Sequence, residues 1–150
     1  MMDEPIDPRT EQERREADGW AEFEGLLSQV SEERLTAPGV LEGWTVKEML
    51  HHVTGWLEEC VARLEAVRAG TYVDIEETDE MVDARNAAFE EAARVLDVAT
   101  VRERLETARA RVLELWRELP EIDEAAIDWF GGETYEHYEE HVPDLERAAD

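Results

Sequence analysis

The sequence predicts an all-α protein, a four-helix bundle folded as one domain. Three observations carry that reading. Apolar residues recur every three to four positions in four long stretches, the spacing of a single helix face. No stretch alternates apolar and polar residues with a period of two, so no strand is expected. Most prolines and glycines fall between the periodic stretches, where the chain must turn. At 150 residues the chain is long enough to bury a core of its own.

Residues 1–9 read as a loose leader broken by Pro5 and Pro8, and residues 10–150 as the folded domain. The first helix runs from about Thr10 to Ser31. Ala17, Trp20, Phe23, Leu27 and Val30 form its apolar face, with Glu and Arg filling the other face. A connection with Pro38, Gly39 and Gly43 follows. The second helix opens at Thr45, because Thr45 and Glu48 have the spacing of a capping box. It runs to about Arg68, with Gly70 as its C-terminal cap. Its stripe is Val46, Met49, Leu50, Val53, Leu57, Cys60, Leu64 and Val67.

The third helix begins near Asp79 after a loop. Met81, Val82, Ala88, Phe89 and Ala92 are its apolar positions. A second capping box, Thr100 with Glu103, predicts a kink or restart there. The stripe then continues through Val101, Leu105, Ala108, Val112, Leu115, Trp116 and Leu119 to the breaker Pro120. Residues 120–132 read as a second long connection. The last helix spans about Glu133 to Ala148, with Pro143 inside it. Thr134, Tyr138, His141, Val142 and Leu145 face inward, with His137 on the flank.

The formal charge is -25 and the isoelectric point is near 4.3. Phosphates would be repelled, which argues against nucleic-acid and anionic-membrane partners. No run of apolar residues has the length of a membrane span. The acidic, polar N-terminus is unlike a signal peptide, and the lone Cys60 allows no internal disulfide. A cytoplasmic location fits these features.

Only four histidines are present. His137 and His141 are four residues apart, so a helix points both the same way. His51 and His52 are neighbours, and helical phase separates them. At about 100° per residue, His51 falls opposite the apolar stripe of the second helix and is expected to face solvent. His52 falls at the stripe's edge, where it can look into the bundle. Meeting His137 and His141 there, it would complete a three-imidazole site with open coordination positions, suited to Zn²⁺, Ni²⁺ or Fe²⁺.

The segment from Gly43 to Val53, with Trp56 after it, resembles the second helix of the DinB/YfiT-like superfamily. A Trp-(Ser/Thr)-Val-(Lys/Arg)-(Asp/Glu) start is followed there by a histidine four residues after the acid. Counted from Glu48, that histidine is His52. Residues 135–141 resemble the superfamily's final His-x-x-x-His helix, and Val82-Asp83-Ala84-Arg85-Asn86 its Val-Asp-x-x-Asn stretch. The resemblance implies an up-down-down-up bundle, a metal held by His52, His137 and His141, and a homodimer. It also implies a small-molecule substrate and a low-molecular-weight thiol such as mycothiol or bacillithiol. The enzyme would be a thiol-S-transferase or isomerase.

Three functions are therefore in view. As an enzyme, a zinc or nickel ion on the three histidines would activate a thiol or, in a hydrolase acting on an electrophile, a water. Tyr135 and Tyr138 read first as packing residues, with a hydrogen bond near the ion as the alternative; Arg85 reads first as half of a helix-surface ion pair, with contact of Arg85 and Asn86 to an anionic thiol as the alternative. Cys60 reads as a small buried hydrophobe. As a non-catalytic dimeric bundle, the protein would hold metal without turnover. As a ligand-binding bundle, Trp44, Trp56, Trp116, Trp129 and Phe130 would line an apolar pocket.

Overall fold

The computed structural model describes residues 7–149, which form α1 (Pro8–Leu27), α2 (Glu32–Thr36), α3 (Val46–Ala69), α4 (Asp79–Ala93), α5 (Val98–Glu118), α6 (Glu124–Glu133) and α7 (Tyr135–Ala148). Residues 1–6 of the expected leader lie outside the described residues. Asp7 caps α1, with Pro8 in the first turn, where its missing N–H costs nothing. No helix is long and apolar enough to cross a membrane among the described residues.

Cross-helix partners give the topology. On α3 and α5, Glu58 pairs with Arg104, Glu65 with Arg111 and Arg68 with Glu118, so the two run parallel. On α1 and α5, Arg9 meets Leu119, Glu13 meets Arg117 and Glu16 meets Arg109, so these two run antiparallel. Gln12 bonds Tyr135 and Glu16 bonds Tyr138, so α7 runs parallel to α1. The order of α1, α3, α5 and α7 is therefore up, down, down, up. Parallel α3 and α5 need a crossover connection, and α4 lies in it.

The capping box at Thr45 is present in full, and Gly70 caps α3 with φ +75°. Every residue of the expected α3 stripe except Val67 is buried. The core joins them to Phe23 and Leu27 of α1, Leu105, Val112 and Trp116 of α5, and Phe130 of α6. Trp116 stacks on Phe130 with ring centroids 4.2 Å apart. Phe89 of α4 packs on Gly55 of α3. A Cβ there would lie 2.5 Å from the ring of Phe89, so this approach requires glycine.

One cap, two boundaries and one helix face differ from expectation. The expected restart is present, but its cap is Asp97 and not Thr100: α4 ends at Ala93, and Asp97 caps α5 by accepting from Thr100 N–H. The carboxylate three residues earlier takes the donor that the Thr100 box would have used. The connection over 120–132 contains α6, capped by Asp123; Gly131-Gly132 disguised it as a loop. The last helix begins at Tyr135, because Thr134 breaks the path with φ -106° and ψ -102°. On α4 the inward residues are Val82, Asn86 and Phe89, whereas Met81 is exposed.

Glu16, expected on the polar face of the first helix, is 1% exposed. Its carboxylate accepts two bonds of 2.8 Å from the Arg109 guanidinium and one of 2.9 Å from the Tyr138 hydroxyl. Removing one partner strands the others. Glu16→Leu should lower stability to urea by about 3 kcal/mol, and adding Arg109→Met should recover most of it. Equal loss in the single and double variants would contradict this role.

Candidate metal centre

The three histidines are brought together by α3 and α7. The capping box fixes the start of α3, two turns before His52. The break at Thr134, whose hydroxyl donates to the Phe130 carbonyl at 2.6 Å, fixes the start of α7. His137 and His141 then project from one side of α7 toward α3. His52 Nε2 lies 3.1 Å from His137 Nε2, and His141 Nε2 lies 3.1 Å from the same atom. All three ligating atoms fall within 4.8 Å of one another, and all three residues are buried.

The protonation pattern favours a ligand set. His141 Nδ1 stands 3.0 Å from Asp144 Oδ2, so its N–H donates to the carboxylate and its Nε2 lone pair faces the cluster. Burial holds His52 down to about 4, helped by the neighbouring His141. Burial, with His141 and His52 beside it, holds His137 down to about 3. Both are neutral near pH 7, the form in which imidazole binds metal. Three nitrogens each about 2.0–2.1 Å from one ion would stand roughly 3 Å apart. Two of the three separations, at 3.1 Å each, fit that requirement, and the third lies within 4.8 Å. His52 Nδ1 and His137 Nδ1 have no hydrogen-bond partner.

Trp44 closes one side, its ring centroid 5.2 Å from that of His52 and 5.8 Å from that of His141. A cavity of about 300 Å³ opens on the other side, with Trp56, Trp129, Asn86 and Glu133 in its wall beside His52 and His137. Burial pushes the Glu133 carboxyl up to about 8, and the charges of Glu77, Glu140, Glu59 and Glu136 push it the same way.

Several expectations need correction. His51 is only 3% exposed rather than solvent-facing. Phase analysis assumed one buried face, but α3 is enclosed by α5 on one side and by α4, α6 and α7 on others. The packing reading of Tyr135 and Tyr138 holds and the alternative near the ion does not: their hydroxyls donate to Gln12 and Glu16 on α1. Arg85 forms the ion pair expected of it first, with Glu77, and Asn86 accepts from Trp56 Nε1 at 2.7 Å. Of the aromatic set, Trp56 and Trp129 line the cavity, Trp44 flanks the histidines, and Trp116 and Phe130 pack in the core. Cys60 is buried as expected, its thiol pushed well up by burial and donating to the Trp129 carbonyl. Asp144 and Glu133 went unnoticed. The spacing of Asp144 three residues after His141 was an available signal; nothing in the sequence marks Glu133 among so many acids.

The family model for the mycothiol maleylpyruvate isomerase N-terminal domain matches residues 17–138. The chain belongs to this family. The family is part of the DinB/YfiT-like superfamily, as the motifs implied. The match takes in His52 and His137 and ends three residues before His141. The crystal structure of the mycothiol-dependent maleylpyruvate isomerase superposes with a TM-score of 0.71 at 19% identity, over 93% of this chain. That likeness establishes the shared bundle. The chain spans 61% of the length of that protein. Comparison with curated proteins returned no match.

The raised Glu133 gives a pH prediction for the metal-free protein. The native state keeps a proton that the unfolded chain loses above about 4.5. The contribution of Glu133 to stability is therefore lost as pH rises from 4.5 to about 8, and no further beyond. Glu133→Gln should gain on wild type across that window in urea titrations. A constant difference between the two across it would contradict the assignment.

Proposed function

We propose that the chain is the metal-binding bundle of a thiol-dependent isomerase, with one divalent transition ion, zinc or nickel, on His52, His137 and His141. Residues 10–150 are taken as the unit that carries this site. The convergence of three buried Nε2 atoms, two of them 3.1 Å from the third, is the observation that supports this reading most. Family membership supports the choice of a thiol-using isomerase over a hydrolase. When bound, such an ion supplies Lewis acidity and lowers the pKa of a coordinated thiol or water.

The chain's own residues do the rest. Asp144 holds the His141 ring in one tautomer and orientation. Burial keeps His52 and His137 unprotonated, so metal need not compete with protons near neutral pH. Three protein ligands leave coordination positions open for a thiol. Trp44 shields one side, so a substrate enters from the cavity side, past Trp56 and Trp129. These two rings are held in place: Trp56 Nε1 donates to Asn86, and Trp129 Nε1 donates to the Tyr72 hydroxyl at 2.9 Å.

Metal analysis of untagged protein by plasma mass spectrometry tests the reading. Wild type should carry about one transition ion per chain, and His52→Ala and His141→Ala should carry none. Asp144→Asn should keep the site but weaken its affinity by about 10- to 100-fold. Mycothiol-dependent isomerisation of a cis-alkene should vanish in both histidine variants. Wild type that stays free of metal after incubation with Zn²⁺ and Ni²⁺ would sink the proposal.

A further inference from the structure

Glu133 stands in the wall of the cavity beside His52 and His137 and is not a member of the ligand cluster. It is the last residue of α6, and the chain breaks at Thr134 directly after it. Among the described residues, no hydrogen bond or ion pair reaches its carboxyl. The neighbouring charges are disposed of otherwise. Arg85 pairs with Glu77 and stands 3.8 Å from Glu59, and Arg63 stands 3.0 Å from Glu59 and 3.4 Å from Glu77. Glu136 and Glu140 of α7 are exposed. The indole N–H groups of the wall are also spent, Trp56 on Asn86 and Trp129 on Tyr72.

The place favours the neutral carboxyl. Burial is the first cause, and the charges of Glu77, Glu140, Glu59 and Glu136 act with it. The last carbonyls of α6 add partial negative charge at the same end. On α3, Cys60 is buried and holds its own proton, with the Glu133 charge helping to keep it there. The rings of His52 and His137 are neutral. An ion on the histidines pulls the proton affinity of Glu133 down, and the surrounding carboxylates oppose that pull. A neutral carboxyl can donate a hydrogen bond and a proton, which a carboxylate cannot. Glu133 is thus an acid with no structural partner, facing a cavity beside a ligand set with open positions.

We propose that Glu133 is the general acid of this site, donating to the carbonyl oxygen of an unsaturated carbonyl substrate while the thiol adds to its alkene. The proposal rests on the reading that thiol and electrophile meet beside the three histidines. The sulfur, as thiolate, forms a bond to one alkene carbon, and the π pair moves onto the conjugated carbonyl oxygen. Glu133 gives its proton to that oxygen and becomes a carboxylate, so the adduct is a neutral enol rather than an enolate among acids. The former double bond then turns as a single bond. The enol returns its proton to Glu133, the carbon–sulfur bond breaks, and the thiolate leaves with its electron pair. No proton or electron is consumed overall.

Infrared spectra of zinc-loaded protein near neutral pH, with and without cis-diacetylethylene carrying heavy carbon at both carbonyls, read the acid without turnover. Wild type should show a protonated-carboxyl stretch that Glu133→Gln lacks, and this band and the labelled carbonyl band should both shift when the dione binds. Mycothiol-dependent isomerisation of the dione is followed by proton NMR in parallel. Glu133→Gln should lower kcat by about 100-fold or more while zinc content stays at the wild-type level. Wild-type kcat/KM should fall as pH rises through the midpoint at which the infrared band disappears, and Glu133→Gln should lack that limb. Glu140→Gln should keep both the rate and the limb. An ionised Glu133 near neutral pH, a carboxyl band that does not respond to the dione, or full activity in Glu133→Gln would overturn the proposal. A spectral response with no thiol-dependent turnover in wild type would support the contact between Glu133 and the carbonyl while sinking the isomerase reading.

Discussion

The buried carboxylate of Glu16 is the constraint on which the site depends. It ties α1 to α5 through Arg109 and to α7 through Tyr138. A carboxylate at that depth is stable only when every lone pair is answered, so the network tolerates few rotations of α7. With Tyr138 turned to α1, helical phase puts His137 and His141 on one side of it, within roughly a third of a turn. That side faces α3 and His52. Gly19 makes the close approach possible: a Cβ there would lie 3.1 Å from Tyr135 Cβ. A polar clamp on one side of α7 thus aims two imidazoles on the other.

The second constraint is the central position of α3. It buries residues on nearly every face between Met49 and Leu57. A helix so enclosed can present a side chain to the bundle interior and still keep its backbone dry. His52 uses this position. His51 shares it without a role in the cluster, and burial lowers its proton affinity as well, with the Arg104 charge adding to the effect. The strongly acidic surface lies outside this frame, where paired arginines offset only part of it.

Much of this was legible in the sequence, for reasons that differ by element. The core of α3 and the capping box at Thr45 follow from strict periodicity and local hydrogen bonding, which tertiary packing did not disturb. His52 was selected by phase because it lay beside the apolar stripe. The same phase argument failed for His51, since period alone cannot show that a helix is packed on several sides. The α6 helix was hidden by a glycine pair that elsewhere marks a turn. Glu16 was misplaced because a buried ion pair between distant segments has no local signature. For the same reason the packing role of the two tyrosines was legible but their partners on α1 were not.

The central claim is that three imidazoles, one from α3 and two from α7, form a single coordination sphere. X-ray absorption at the zinc edge of the loaded protein tests it most directly, because imidazole rings add characteristic multiple-scattering features beyond the nearest ligands. The account predicts three imidazole nitrogens at about 2.0–2.1 Å, and no zinc retained by His52→Ala. Zinc ringed only by carboxylate oxygens, or a spectrum unchanged by His52→Ala, would contradict it.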